Sequence, residues 1–106
     1  MEIQKFFNDE VILLTPKQIH DSRGFFSETY NLGLFQRHGI DAHFIQDNFS
    51  SSSEQYTFRG MHFQKPPQAQ AKLVRVLRGS VIDIIIDVRK DSPTFLESKS
   101  FELSHK

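Results

Sequence analysis

The 106-residue sequence contains no cysteine and no tryptophan. Without cysteine there is no disulfide framework and no thiolate metal site, and the composition fits a reducing compartment. Charge of one sign is also missing. Thirteen Lys and Arg balance thirteen Asp and Glu, giving a formal net charge of zero. A neutral domain lacks the electrostatic footprint of a general nucleic-acid or anionic-membrane binder, so neither partner is expected. Long apolar runs are absent as well. Val11-Ile12-Leu13-Leu14 is far too short for a spanning helix or a signal-peptide core. No low-complexity tract, charge block or repeat with a period of about 20 to 50 residues is visible, which argues against a solenoid. The cytoplasm is the default location that these absences leave.

Phenylalanine is what the sequence has in excess: eleven, against two tyrosines. Phe is a large apolar filler without a polar handle, so a Phe-rich core is expected. Charged residues at 25% and hydrophobic residues at 38% describe a globular chain rather than a disordered one. The length suits a single domain over residues 1–106, burying about two-thirds of its unfolded surface.

Punctuation by Gly and Pro points to short strands. The apolar run 11–14 is closed by Pro16 and reads as a strand. Asp21-Ser22-Arg23-Gly24 is turn chemistry, since Asp and Ser bond their own backbone and Gly accepts positive φ. Residues 25–30, rich in aromatic and β-branched side chains, follow as a second strand. Leu34, Phe35 and His38 recur at helical spacing before Gly39, predicting one short helix near residues 32–38. Residues 44–49 read as extended and 56–64 as a strand ended by Pro66-Pro67. The runs 71–77 and 81–88 read as two strands of a hairpin joined across Arg78-Gly79-Ser80. The expected class is all-β: a sandwich, jelly roll or barrel.

The run 81–88 carries two distinct faces, because side chains alternate along a strand. Ile82, Ile84, Ile86 and Val88 share the face expected to be packed. Val81, Asp83, Ile85 and Asp87 share the other, which is either a wet surface or the polar floor of a pocket. In the run before it, Lys72 leads a face otherwise made of Val74 and Val76. It is either a strand-end lysine with its head in water or a charge placed in a site.

Five histidines are present, at 20, 38, 43, 62 and 105, and none forms an H-x-H, H-x-x-H or HExxH pair. A His-based metal site has little support. His62 stands apart by context, with Arg59, Gly60, Gln64 and the nearby Lys72 supplying charge, close backbone approach and hydrogen bonding. An imidazole beside a cation stays neutral more readily and can serve as a base. Strict alternation puts Arg59 and His62 on opposite faces, so a shared site requires a bend at Gly60.

Four segments, in order, carry a family resemblance. They are Asp21-Ser22-Arg23-Gly24-Phe25-Phe26-Ser27-Glu28; Gln46-Asp47-Asn48-Phe49-Ser50; Phe58-Arg59-Gly60-Met61-His62-Phe63-Gln64-Lys65-Pro66-Pro67; and Lys72-Leu73-Val74-Arg75-Val76 running into Gly79-Ser80-Val81-Ile82-Asp83. Asp87-Val88-Arg89-Lys90-Asp91-Ser92-Pro93-Thr94-Phe95 continues the match. Together they resemble the dTDP-4-dehydrorhamnose 3,5-epimerase family over nearly the whole chain. The resemblance implies a cupin-like jelly roll, present here in part, and a homodimer with strands exchanged between subunits. It implies epimerisation at C3 and C5 of dTDP-4-keto-6-deoxyglucose in deoxysugar synthesis, without metal or redox cofactor. By the same resemblance His62 is the general base, Lys72 stabilises the enolate, and Asp83 is a pocket carboxylate. Arg23 and Arg59 contact the diphosphate, while Glu28, Gln46, Asp47 and Asn48 hold nucleotide and sugar.

The family continues beyond the position matching Ser104. Its later part supplies a Tyr acid and an Asp that pairs with the catalytic His. Tyr30 and Tyr56, the only tyrosines, lie in segments that do not match that acid. The chain therefore reads as the N-terminal part of an epimerase. The alternative is a non-catalytic, dTDP-sugar-binding fragment or truncated homologue.

Overall fold

The structure, a computed structural model, describes residues 1–106. It consists of three antiparallel two-stranded sheets and one helix. β1 (Glu2–Phe6) pairs with β2 (Val11–Thr15), β3 (Ile19–Asp21) with β4 (Gly24–Phe26), and β5 (Ser80–Ile86) with β6 (Ser98–Ser104). The helix α1 spans Leu32–Arg37. The all-β expectation with one short helix holds, and the jelly roll is present in part as these three ribbons. No helix is long and apolar enough to cross a membrane.

Local chemistry accounts for the helix. Asn31 caps it, its side-chain oxygen accepting the Leu34 N–H at 3.0 Å. Gly39 ends it at φ +80. The Ile40 N–H reaches back to the Phe35 carbonyl at 2.9 Å and the Gly39 N–H to that of Gln36 at 3.0 Å, a Schellman closure. Inside, Phe35 is 2% exposed, and the Tyr30 ring meets it edge-on at 4.9 Å. Phe44 also meets Tyr30 edge-on, at 6.0 Å.

The β5–β6 ribbon is set by the reversal between its strands. Asp87, 6% exposed, follows β5 directly. Its Oδ1 accepts the Arg89 N–H and Nε, both at 3.0 Å. Its Oδ2 accepts Arg89 Nη2 at 2.9 Å, Ser92 Oγ at 2.6 Å and the Thr94 hydroxyl. Its backbone closes the loop: the Asp87 N–H donates to Glu97 O and the Leu96 N–H to Asp87 O. A buried carboxylate is tolerated only when its charge is paired and hydrogen-bonded, and this one is.

Two contacts join β1–β2 to β5–β6. Phe6 meets Phe101 edge-on at 5.2 Å with Lys99 Nζ 4.7 Å above the Phe6 ring. Arg89 Nη1 lies 3.6 Å from Glu10 Oε1 in the β1–β2 turn. Beyond these links the interior is thin. Only Phe35 and Asp87 are buried, so the expected Phe-rich core is absent, and Phe25, Phe26, Phe49, Phe58 and Phe63 are exposed. The accessible surface is 9385 Å², against about 6,100 Å² for a compact monomer of this mass.

Several expectations are corrected. The hairpin between residues 71–77 and 81–88 does not form. The β5 partner is β6, and at the far end of β6 the Gly79 N–H donates to His105 Nδ1 while the Gly79 carbonyl accepts the His105 backbone N–H. That ties the connection to β6 rather than closing a turn onto residues 71–77, which carry no strand. Residues 56–64 are not a strand either, because Tyr56 (φ 63) and Gly60 (φ 121) break the extended path. The strand expected over residues 25–30 shrinks to Gly24–Phe26. β1 was not expected. Finally, the faces of β5 are reversed. Ile82, Ile84 and Ile86 are exposed, whereas Asp83 and Ile85 are half-buried and Asp87 is buried. The cause lies across the ladder. Asp83 sits opposite Phe101 and Val81 opposite Leu103, so the side Phe6 covers is theirs.

Arg89, then Ser92 and Thr94, hold the Asp87 carboxyl far below the usual aspartate range. Such a group stabilises the fold above its unfolded pKa, about 3.9, and that stability is lost as pH falls towards the folded value. The Asp87 side-chain carboxyl carbon, followed by NMR, is expected to keep its ionised shift well below pH 4. Asp87→Asn is expected to lower the melting temperature and flatten its acid dependence below about pH 4.

Candidate functional site

Arg23 sits in the two-residue turn between β3 and β4, where Asp21 pairs with Gly24. Asp21 Oδ1 accepts the Arg23 N–H at 2.8 Å, which shapes the turn. Asp21 Oδ2 accepts Arg23 Nε at 3.2 Å and Nη2 at 2.6 Å. The guanidinium, with the backbone N–H after it, holds the Asp21 carboxyl below its ordinary range. Asp21, Arg23, Gly24, Phe25 and Phe26 line an open groove of about 220 Å³. Its apolar walls are the exposed Phe25 and Phe26 rings, with His20 5.4 Å from the Phe25 ring. A larger hollow of about 350 Å³ lies among Met1, Glu2, Thr15, Pro16 and Lys17. It holds none of the expected site residues, whereas the smaller groove holds one of them, Arg23.

Of the other expected residues, Asp83 lies in β5 and the rest lie on irregular backbone. Gln46 Nε2 donates to Asn48 Oδ1 at 3.2 Å, so these two act as one hydrogen-bonded pair. Asp47 between them and Glu28 are exposed. Arg59 is held from a loop seven and eight residues earlier. Its Nε donates to Ser52 Oγ at 3.3 Å and its Nη2 to the Ser51 carbonyl at 3.2 Å. The bend expected at Gly60 is present at φ +121. A Cβ there would stand 3.7 Å from His62 Nδ1 and 3.6 Å from the His62 backbone nitrogen, so the imidazole folds back over the glycine. Lys72 is exposed, and Asp83 is half-buried opposite Phe101. No hydrogen bond or ion pair joins His62, Lys72 and Asp83 to one another. No cluster of three or more His, Cys, Asp or Glu stands in metal-binding proximity.

Sequence reasoning named the arginines and missed the groups that hold them, Asp21 for Arg23 and Ser51 with Ser52 for Arg59. The D-x-R spacing was a usable signal, since it occurs again at Asp87-Val88-Arg89. The serines gave none, because their contact depends on how the polar loop 50–54 turns back.

Likeness to solved epimerase structures places these antiparallel ribbons in the cupin-like β class. The dTDP-4-dehydrorhamnose 3,5-epimerase family model matches residues 8–106, and the chain belongs to that family. The epimerase of Methanothermobacter thermautotrophicus is 43% identical over 96 residues, covering 91% of this chain and 51% of its own length. A crystal structure of the Bacillus anthracis epimerase with TDP and PPi bound is 43% identical, at a TM-score of 0.94, over 98% of this chain and 59% of that one. The Legionella pneumophila enzyme in complex with dTDP-4-keto-L-rhamnose is 40% identical, at a TM-score of 0.88, over 98% of this chain and 55% of that one. The chain thus spans about half the length of the relatives it matches.

At φ +121, Gly60 lies outside the region that side-chain-bearing residues adopt without strain. Gly60→Ala is expected to cost about 1–3 kcal/mol in urea unfolding. It is also expected to shift the His62 ring protons in NMR spectra, as the imidazole loses its seat.

Proposed function

We propose that the chain provides the base-bearing and diphosphate-binding part of a dTDP-4-dehydrorhamnose 3,5-epimerase, acting on dTDP-4-keto-6-deoxyglucose. Family membership, at a TM-score of 0.94 to a relative holding TDP and PPi, is the observation that carries this reading. The C4 ketone acidifies the protons on its two neighbouring carbons. His62 takes one of them as general base. The electrons of that C–H bond move onto the ketone oxygen as an enolate, which the Lys72 ammonium stabilises. They return to the same carbon when a proton arrives on the opposite face. The carbon is neither oxidised nor reduced, so the reaction needs no redox cofactor. Asp83 serves as a pocket carboxylate near this centre. Arg23 and Arg59 receive the diphosphate, for which a guanidinium fork is geometrically suited. Glu28, Gln46, Asp47 and Asn48 hold nucleoside and sugar.

The partner we assign is a second copy of the chain, with strands exchanged between subunits. Support comes from surface area. The chain exposes about 3,000 Å² more than a compact monomer should, a quantity in the range of obligate interfaces. Neither nucleic acid nor membrane enters this reading, and the cysteine-free composition suits the cytoplasm.

A second reading, binding of a dTDP-sugar without turnover, is favoured by one contrast. The binding residues Arg23, Arg59, Gln46 and Asn48 have side-chain partners, whereas His62 and Lys72 have none.

Solvent exchange separates the two. Incubated with the 4-keto sugar nucleotide in deuterium oxide, the chain is expected to place deuterium at C3 or C5. His62→Ala is expected to slow this about 10²–10⁴-fold. Folded protein that binds dTDP by calorimetry yet exchanges nothing leaves the binding-only reading. An unaffected His62→Ala removes His62 as the base.

A further inference from the structure

The same local device occurs twice in this chain, at Asp21-Ser22-Arg23 and Asp87-Val88-Arg89. In each, a carboxylate accepts the N–H of the arginine two residues on, at 2.8 Å and 3.0 Å. In each it also grips the guanidinium along its Nε–Nη2 side, with Nη2 at 2.6 Å and 2.9 Å. The two copies differ at the outer end of the guanidinium. Around Arg89 the chain uses that end itself. Nη2 donates onward to Ser92 Oγ at 3.2 Å, and Nη1 lies 3.6 Å from Glu10. The carboxylate is saturated too, by Ser92 and Thr94. Around Arg23 nothing in the chain meets Nη1, and the side chain is 88% exposed.

A guanidinium has five N–H donors in a fixed plane. Asp21 occupies Nε–H and one hydrogen of Nη2. Both hydrogens of Nη1 and the second of Nη2 stay free, and they form the fork that meets two oxygens of a phosphate side by side. We propose that Asp21 is a positioning residue, holding Arg23 side-on so that its outer Nη1–Nη2 fork is offered to a phosphate at the rim of the Phe25–Phe26 groove. This rests on the dTDP-sugar reading given above. The Asp21–Arg23 pair is close to neutral, so it recognises the anion by a preset planar fork more than by net charge. A lysine at position 23 would offer a point charge and no fork.

Asp21→Asn separates the two roles of the carboxylate. Its amide oxygen still accepts the residue-23 N–H, so the turn survives, while the charged grip on the guanidinium is lost. The first measurement needs no ligand. The Arg23 Nε–H is expected to give a resolved, slowly exchanging NMR signal in the wild-type chain, and that signal should merge with the averaged arginines in Asp21→Asn. An averaged wild-type signal, or one unchanged in the variant, overturns the proposal. The second measurement is calorimetry with dTDP and with thymidine. Restoring the freedom of one ordered side chain is expected to weaken dTDP about 2- to 12-fold in Asp21→Asn. Arg23→Lys is expected to weaken it at least as much, and thymidine should be unaffected in both. Equal or tighter dTDP binding by Asp21→Asn would make Asp21 a competing counter-charge and overturn this proposal alone. No dTDP binding by the wild-type chain would overturn the epimerase reading with it.

Discussion

A buried carboxylate must be surrounded by donors or it cannot stay charged, and the Asp87 node is where this chain meets that demand. Five donors converge on its two oxygens, and all five come from side chains or backbone within the next seven residues. Satisfying the charge therefore fixes the course of residues 87–97 and delivers Ser98 opposite Ile86, which sets the register of β6 on β5. The same arginine that neutralises Asp87 extends to Glu10 and links this reversal to the β1–β2 turn. Where apolar burial is scarce, directional polar contacts decide the local geometry.

Local signals were legible in proportion to how local their causes are. The helix was read correctly because Asn31, Phe35 and Gly39 specify it within nine residues. The β3–β4 turn was read correctly because Asp21 and Gly24 shape it within four. The ladders were harder. Residues 71–77 have the composition of a strand, yet a strand exists only when another lines up beside it, and none does so here. The face of β5 that would be covered was misjudged because both faces carry aliphatic side chains. Alternation cannot choose between Ile84 and Ile85, whereas Phe101 and Phe6 on the far strands do.

The functional residues follow the same division. Motif spacing named Arg23, Arg59 and His62, and the bend that a shared Arg59–His62 site would require is present at Gly60. The supports around them were not, since Ser51 and Ser52 reach Arg59 only once the intervening loop has turned. Of the two carboxylate–arginine turns, one is closed by Ser92, Thr94 and Glu10 and serves the fold. The other ends at an open groove with aromatic walls. Identical backbone logic thus gives a structural anchor where neighbours fill the guanidinium edge, and an open guanidinium fork where they do not.

The thin interior has a calorimetric consequence. Heat capacity on unfolding reports apolar surface newly exposed to water. With Phe35 the only fully buried hydrophobic residue, the chain has less apolar surface to expose than a compact domain of its length. Its increment per residue should fall below the roughly 12 cal/mol/K of ordinary domains. Covering apolar rows such as Ile82, Ile84 and Ile86 would return the missing heat capacity as a large negative change.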